Sequence, residues 1–160
     1  MTGTYVMTLF EDYSISKARV RLREEKRFYG PEERKQVTSP DEVCALLWEE
    51  IYRKAACEIF VVCLLNTANV VQTVFKTSEG GLSGTVVNPR DVCQPALLDN
   101  ASAVICAHNH PSGNPEPSRE DLKMTQALQE AGEILDTPLH DHLIITGESG
   151  YTSLAERDVL

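Results

Sequence analysis

Strand-like and helix-like patterns interleave along this 160-residue chain, which predicts an α/β layered fold with a mixed sheet. Two observations carry that prediction. "EIFVVCLLN" (58–66) and "ASAVICAH" (101–108) are nearly continuous apolar runs, as expected of strands covered on both faces. Between and after them lie segments whose apolar residues recur at helical spacing.

The elements follow in order. Lys17, Arg19, Arg21 and Arg23 alternate with Ala18, Val20 and Leu22, a period of two that predicts a strand with one charged face. "EEKRFYGPEERKQ" then reads as a polar linker, so residues 1–35 form a strand-and-linker arm and 36–160 the main domain. In "TSPDEVCALLWEEIYRKA", Ser39 suits an N-cap and Pro40 the first helical position, with acids in the first turn. Val43, Leu46, Leu47 and Ile51 continue that helix. "VVQTVFK" reads as the hairpin partner of the 58–66 strand, and "TSEGGLSGTVVNP" as a hairpin-like loop. "NPRDVCQPALLDN" is helical apart from Pro95, which should kink it or mark its first turns. The 101–108 strand delivers His108 at its C-terminal end. "SREDLKMTQALQEAGEIL" predicts a helix with Leu122, Leu128, Ala131 and Leu135 on one side, and "HLIIT" and "YTSL" close the domain as strands.

Composition narrows the function classes. A run of 18 or more apolar residues is absent, so no membrane partner is expected, and the first residues lack a signal-peptide pattern, which makes a cytoplasmic location the expectation. Five cysteines without a CxxC pair argue against a disulfide framework or a cysteine-based zinc knot. The net charge of −9 opposes broad attraction to nucleic acid. It is uneven, however: residues 1–35 carry eight Lys and Arg against six acids, the remainder seven against eighteen. The basic arm is therefore the one local feature that suits DNA.

The chemistry concentrates in "AHNHPSGNPEPSRED" (107–121). On an extended backbone the imidazoles of His108 and His110 leave the same face. Asp121 lies one turn into the following helix, and the loop containing Pro111, Gly113, Pro115 and Pro117 can fold that helix start back toward the strand end. Two neutral imidazoles and a carboxylate make a three-ligand set for zinc, with a water in the open fourth position. Glu58, at a sheet edge ahead of apolar neighbours, suits general base and acid work. Ser118 at the helix start can offer its hydroxyl to an oxyanion.

An upstream Glu followed by His-x-His, seven residues, Ser, two residues and Asp resembles the JAMM motif of the MPN/JAB metalloproteases. Here it is Glu58, His108-Asn109-His110, Ser118 and Asp121. "AHNHPSGNPEPSREDL" with "AGEILDTPLHDHLIITGESGYTSLAE" is close to the RadC-like branch, over residues 36 to 160. The resemblance implies a cytidine-deaminase-like α/β/α fold and one Zn²⁺ per chain on His108, His110 and Asp121. It implies Glu58 as acid/base, Ser118 as oxyanion stabiliser, and a peptide or protein substrate cut at a peptide or isopeptide bond. The branch name records a suspected part in DNA repair, so a metal-dependent nuclease or repair accessory factor is the alternative.

Plainer readings stand beside these. Ser118-x-x-Asp121 also matches a capping box, and a carboxylate bound to zinc does not easily reach back to the cap, so one role should dominate. Cys106 shares the face of His108 and His110 and is either an extra ligand or a buried apolar residue. His140 reads as exposed and His142 as structural or hydrogen-bonded near the site, while Asn109 and Ser112 read as loop formers. A scaffold without turnover is opposed by the complete motif. A non-haem iron oxygenase shares the ligand types, and a cytidine deaminase lacks its PCxxC thiolates here.

Overall fold

A computed structural model describes residues 26–28, 34–80 and 87–160. The alternating basic segment 17–23 and residues 81–86 of the glycine-rich loop lie outside the described residues. The elements are β1 (Lys26–Phe28), α1 (Pro40–Glu50), β2 (Ile59–Leu65), β3 (Val71–Glu79), α2 (Pro89–Leu98), β4 (Ala103–Asn109), α3 (Arg119–Ile134), β5 (Leu139–Ile145) and β6 (Tyr151–Ser153). They make a mixed α/β fold around a six-stranded sheet in the order β1-β3-β2-β4-β5-β6.

The two apolar runs are the neighbouring central strands β2 and β4, paired antiparallel with Phe60 opposite His108. All seven residues of each strand are buried. A fully buried Val or Leu contributes about 1.5–3 kcal/mol, so these strands dominate the core. β4 and β5 run parallel, which requires a crossover, and α3 supplies it. Alternate residues of the sheet feed two apolar clusters. Val61, Cys63, Ile105 and Leu143 pack with Val43 and Leu47 of α1. Phe60, Val62, Val104 and Cys106 pack with Val92 of α2 and Leu128 of α3.

Local signals explain the helix starts. Ser39 caps α1, its side chain accepting from the Glu42 N–H, with Pro40 at N1. Asn88 and Asp91 form a capping box on α2, which continues through Pro95.

Two local readings change. Lys26–Phe28, inside the stretch read as linker, pairs antiparallel with β3. On α3 the side facing the sheet is Thr125, Leu128 and Gly132, whereas Leu122 and Leu135 are exposed. The phase is set by Gly132: a Cβ there would meet the Thr137 carbonyl oxygen at 2.7 Å. The helix approaches the chain ahead of β5 closely because that position has no side chain.

Candidate metal centre

β4 ends at the metal-ligand candidates. His108 is buried, and its ring stacks on Phe60 of β2 with centroids 5.9 Å apart and planes 5° from parallel. His110 follows the strand, its N–H donating to the carbonyl of Ile145, the last residue of β5. The chain then turns back. Gly113 has φ +75, a left-handed conformation that glycine adopts without penalty, and its N–H donates to the His110 carbonyl at 2.9 Å. That turn returns the Asn114 carbonyl to His110 Nδ1 at 2.7 Å. A carbonyl only accepts, so Nδ1 carries the proton and His110 Nε2 is left as a bare lone pair.

The loop next reaches α3, where the capping box is fully formed. Ser118 accepts from the Asp121 N–H at 3.1 Å, while Asp121 Oδ2 accepts from the Ser118 N–H at 2.7 Å and its hydroxyl at 2.6 Å. The other oxygen, Oδ1, lies 3.3 Å from His108 Nε2. The carboxylate therefore completes the capping box with one oxygen while the other faces His108. Burial pushes the Asp121 carboxyl up, but His108 beside it and the two donors of Ser118 outweigh that and hold it well below the usual carboxylate range.

His108, His110 and Asp121 form a group that can hold a metal ion, one ligand atom from each lying within 4.8 Å of the others. The two Nε2 atoms are 3.1 Å apart, and His110 Nε2 lies 3.7 Å from Asp121 Oδ2. Bonds of about 2.0–2.1 Å to a tetrahedral ion put ligand atoms roughly 3.3 Å apart along each edge. The edges from His108 Nε2, 3.1 Å to His110 Nε2 and 3.3 Å to Asp121 Oδ1, match that spacing, while the 3.7 Å from His110 Nε2 is to the other carboxylate oxygen, so the three side chains could hold such an ion. Cys106 is fully buried in the apolar cluster, its thiol pushed far up by burial, and is not among these donors.

Glu58 immediately precedes β2. Phe60, two residues on, pairs with His108, so Glu58 stands at the end of β2 that adjoins the His108–His110 end of β4. Asn109, between the two histidines, points to the other side. Its Oδ1 accepts from the Ile59 N–H at 2.7 Å and its Nδ2 donates to the Cys57 carbonyl at 3.0 Å. One amide thus grips the backbone on both sides of Glu58, a role the loop-former reading missed. The available signal was the alternation itself, which sends Asn109 away from the metal face and into the sheet interior.

Two further residues back the site. His142 on β5 has no exposed surface; burial, then the neighbouring His108, lower its pKa to about 3 against the opposing pull of Asp121, so the ring stays neutral. Its Nε2 is 3.0 Å from His108 Nδ1, and its Nδ1 is 2.6 Å from the Thr125 hydroxyl. His140 is exposed, as expected. The loop from Pro111 to Glu116 is exposed, and Thr152 ties it down by donating to the Pro115 carbonyl at 2.8 Å.

Comparison with known proteins gives a consistent result. The family described as RadC-like JAB domain matches residues 37–159. A UPF0758 protein of Salinibacter ruber is 55% identical over 129 residues, covering 81% of this chain and 54% of its own length. Another, of Syntrophotalea carbinolica, is 46% identical over 77% of this chain and 53% of its own. A third, of Desulforamulus reducens, is 39% identical over 90% of this chain and 63% of its own. The chain spans little more than half the length of these relatives.

Proposed function

Because the chain belongs to the RadC-like JAB domain family, we propose that it is a zinc-dependent hydrolase of the JAMM type, acting on a peptide or isopeptide bond of a protein substrate. The observation that carries this reading is the convergence of His108 Nε2, His110 Nε2 and Asp121 on tetrahedral-edge spacing, with the His110 lone pair left bare. One helix on one face of the sheet and two on the other support the cytidine-deaminase-like layering implied by the motif.

His108, His110 and Asp121 would hold the ion. When bound, zinc supplies Lewis acidity and lowers the pKa of a coordinated water toward about 7. Asp121, anionic across the physiological range, keeps two neutral imidazoles and one negative charge in the ligand set. Glu58, just ahead of β2, takes the proton of the attacking water and returns it to the leaving amine. Ser118 is the oxyanion donor in this reading: its hydroxyl proton, resting on Asp121 Oδ2, rotates toward the developing charge. The exposed 111–116 loop leaves one side of the site open to an extended chain.

Metal analysis of the purified protein tests the premise. About one zinc per chain is expected, lost when His108 and His110 are both replaced by Ala. A protein that binds none at neutral pH, even after zinc is supplied, refutes the reading. A panel of peptide and isopeptide substrates then tests turnover, with Glu58→Gln expected to retain zinc and lose activity. Cleavage of DNA, or steeply salt-dependent binding lost with Arg19, Arg21 and Arg23, would instead favour the DNA-repair alternative.

A further inference from the structure

The hydrogen bonds behind His108 form a chain whose direction can be read proton by proton. The Thr125 hydroxyl lies 2.7 Å from the carbonyl oxygen of Asp121, one turn earlier in α3. A carbonyl has no proton to give, so that contact holds the single proton of the hydroxyl. Thr125 Oγ1 therefore has only lone pairs left for His142 Nδ1, 2.6 Å away, and His142 must donate there. His142 is fully buried and Thr125 equally so, which leaves no solvent to stabilise an imidazolium. With Nδ1 protonated on a neutral ring, His142 Nε2 is an acceptor. The 3.0 Å contact with His108 then requires the proton on His108 Nδ1. The last step leaves His108 Nε2 bare toward Asp121 Oδ1 and His110 Nε2. Because the Asn114 carbonyl likewise leaves His110 Nε2 bare, the two Nε2 atoms 3.1 Å apart share no proton on this reading, and a cation between them is what satisfies both lone pairs.

We propose that Thr125 and His142 are positioning residues that favour His108 in its Nδ1–H tautomer, so that the lone pair of its Nε2 is directed at the metal position. The inference rests on the metal-site reading for His108, whose Nε2 takes a proton from the same position when no ion is there; the direction of the Thr125–His142 pair is a property of the protein alone. The chain begins on the backbone of Asp121, a proposed ligand, and ends on His108, another. It joins the crossover helix to the strand end through groups with no exposed surface. Polar partners behind a ligating histidine commonly fix its tautomer and orientation, and their loss typically costs 10–100-fold in metal affinity. Here the partner is a second imidazole, which can be protonated on either nitrogen, so its own direction needs an anchor. Thr125 supplies it.

The substitution Thr125→Val keeps the shape and removes the hydroxyl. His142 then has no acceptor at Nδ1, its proton can move to Nε2, and His108 is driven toward the Nε2–H form that points a proton at the ligand position. Two readouts apply to the full chain. Long-range ¹H–¹⁵N correlation spectra of the metal-free protein report which imidazole nitrogen carries each proton. Competition with a chelating dye reports zinc affinity. Expected are the Nδ1–H tautomer for His142 in the parent, a shift of His142 toward Nε2–H in Thr125→Val, and a 10–100-fold loss of zinc affinity. Thr125→Ser, which keeps the hydroxyl, should stay within about threefold of the parent, since the donor and acceptor both remain. A parent protein with His142 protonated on Nε2 overturns the proposal, as does a Thr125→Val protein with parental His142 tautomer and affinity. If the valine variant fails to fold, the parent spectrum and the serine variant still decide. A parent with the expected His142 tautomer that binds no zinc would refute the hydrolase reading and leave the direction of the Thr125–His142 pair standing.

Discussion

Replacing Asn109 by Ala removes both contacts across the β2–β4 pair at once. Asn109 is 5% exposed and Ile59 6%, so the Ile59 N–H loses its 2.7 Å acceptor where water cannot replace it. An unsatisfied buried donor costs about 1–3 kcal/mol. The half-buried Cys57 carbonyl also loses its 3.0 Å donor, and partial solvent access reduces that penalty to about 1 kcal/mol. Together these give about 2–4 kcal/mol. For a domain of this size each kcal/mol moves Tm by roughly 2–4 °C, so the variant should melt roughly 4–16 °C below the parent by circular dichroism. Asn109→Asp keeps an acceptor for Ile59 but offers no donor to Cys57, and should fall between the two. Hydrogen exchange at the Ile59 amide gives the local readout and should quicken in the alanine variant. A melt within about 2 °C of the parent (a shift below 1 kcal/mol) with unchanged Ile59 protection would refute the claim that this amide holds the start of β2.

Gly132→Ala gains about 1 kcal/mol of helix propensity. Its Cβ meets the Thr137 carbonyl oxygen at 2.7 Å, a backbone atom that yields only with the chain around it. Overpacking of about 1–3 kcal/mol should win, and a urea midpoint above the parent's would contradict the close approach. Asp121→Asn loses the charge and cannot present two accepting oxygens, so both bound zinc and about 1 kcal/mol of helix-start stability should go; retention of stoichiometric zinc would count against the ligand role. The metal-free protein should weaken on acidification through His142. Its pKa is near 6.5 in the unfolded chain and about 3 when folded, so between those values only the unfolded state takes up the proton. Stability is then full above about 6.5 and falls by about 1.4 kcal/mol per unit below it, or about 2 kcal/mol by pH 5. Urea midpoints at pH 7, 6 and 5 measure that slope, which His142→Gln should flatten.

What the sequence made legible follows from how each feature is encoded. The central strands announce themselves because burial on both faces forbids polar residues, and the caps of α1 and α3 because Ser39 and Ser118 act on their own neighbours. The His108, His110 and Asp121 group was legible through spacing within one short segment. His142 was read as structural or hydrogen-bonded near the site, which its contact with His108 bears out; the roles of Thr125 and Asn109 were not legible, since they depend on which strand lies beside β4 and how α3 is rotated. That rotation follows from an absent side chain, Gly132, whereas Leu122 and Leu135 supplied a misleading apolar pattern. The pairing of Lys26–Phe28 with β3 was hidden because three residues at a sheet edge carry too little pattern to stand out from a polar linker.

The divided carboxylate of Asp121 has a kinetic consequence. One oxygen ties down the first turn of α3 and the other faces His108, so fraying of that helix end swings the carboxylate away from the histidines with it. With an ion bound as proposed, local opening and ion escape would be a single event with one rate. An ion held there would in turn slow the opening, and the first-turn amides of α3 would report the occupancy of a site they do not touch.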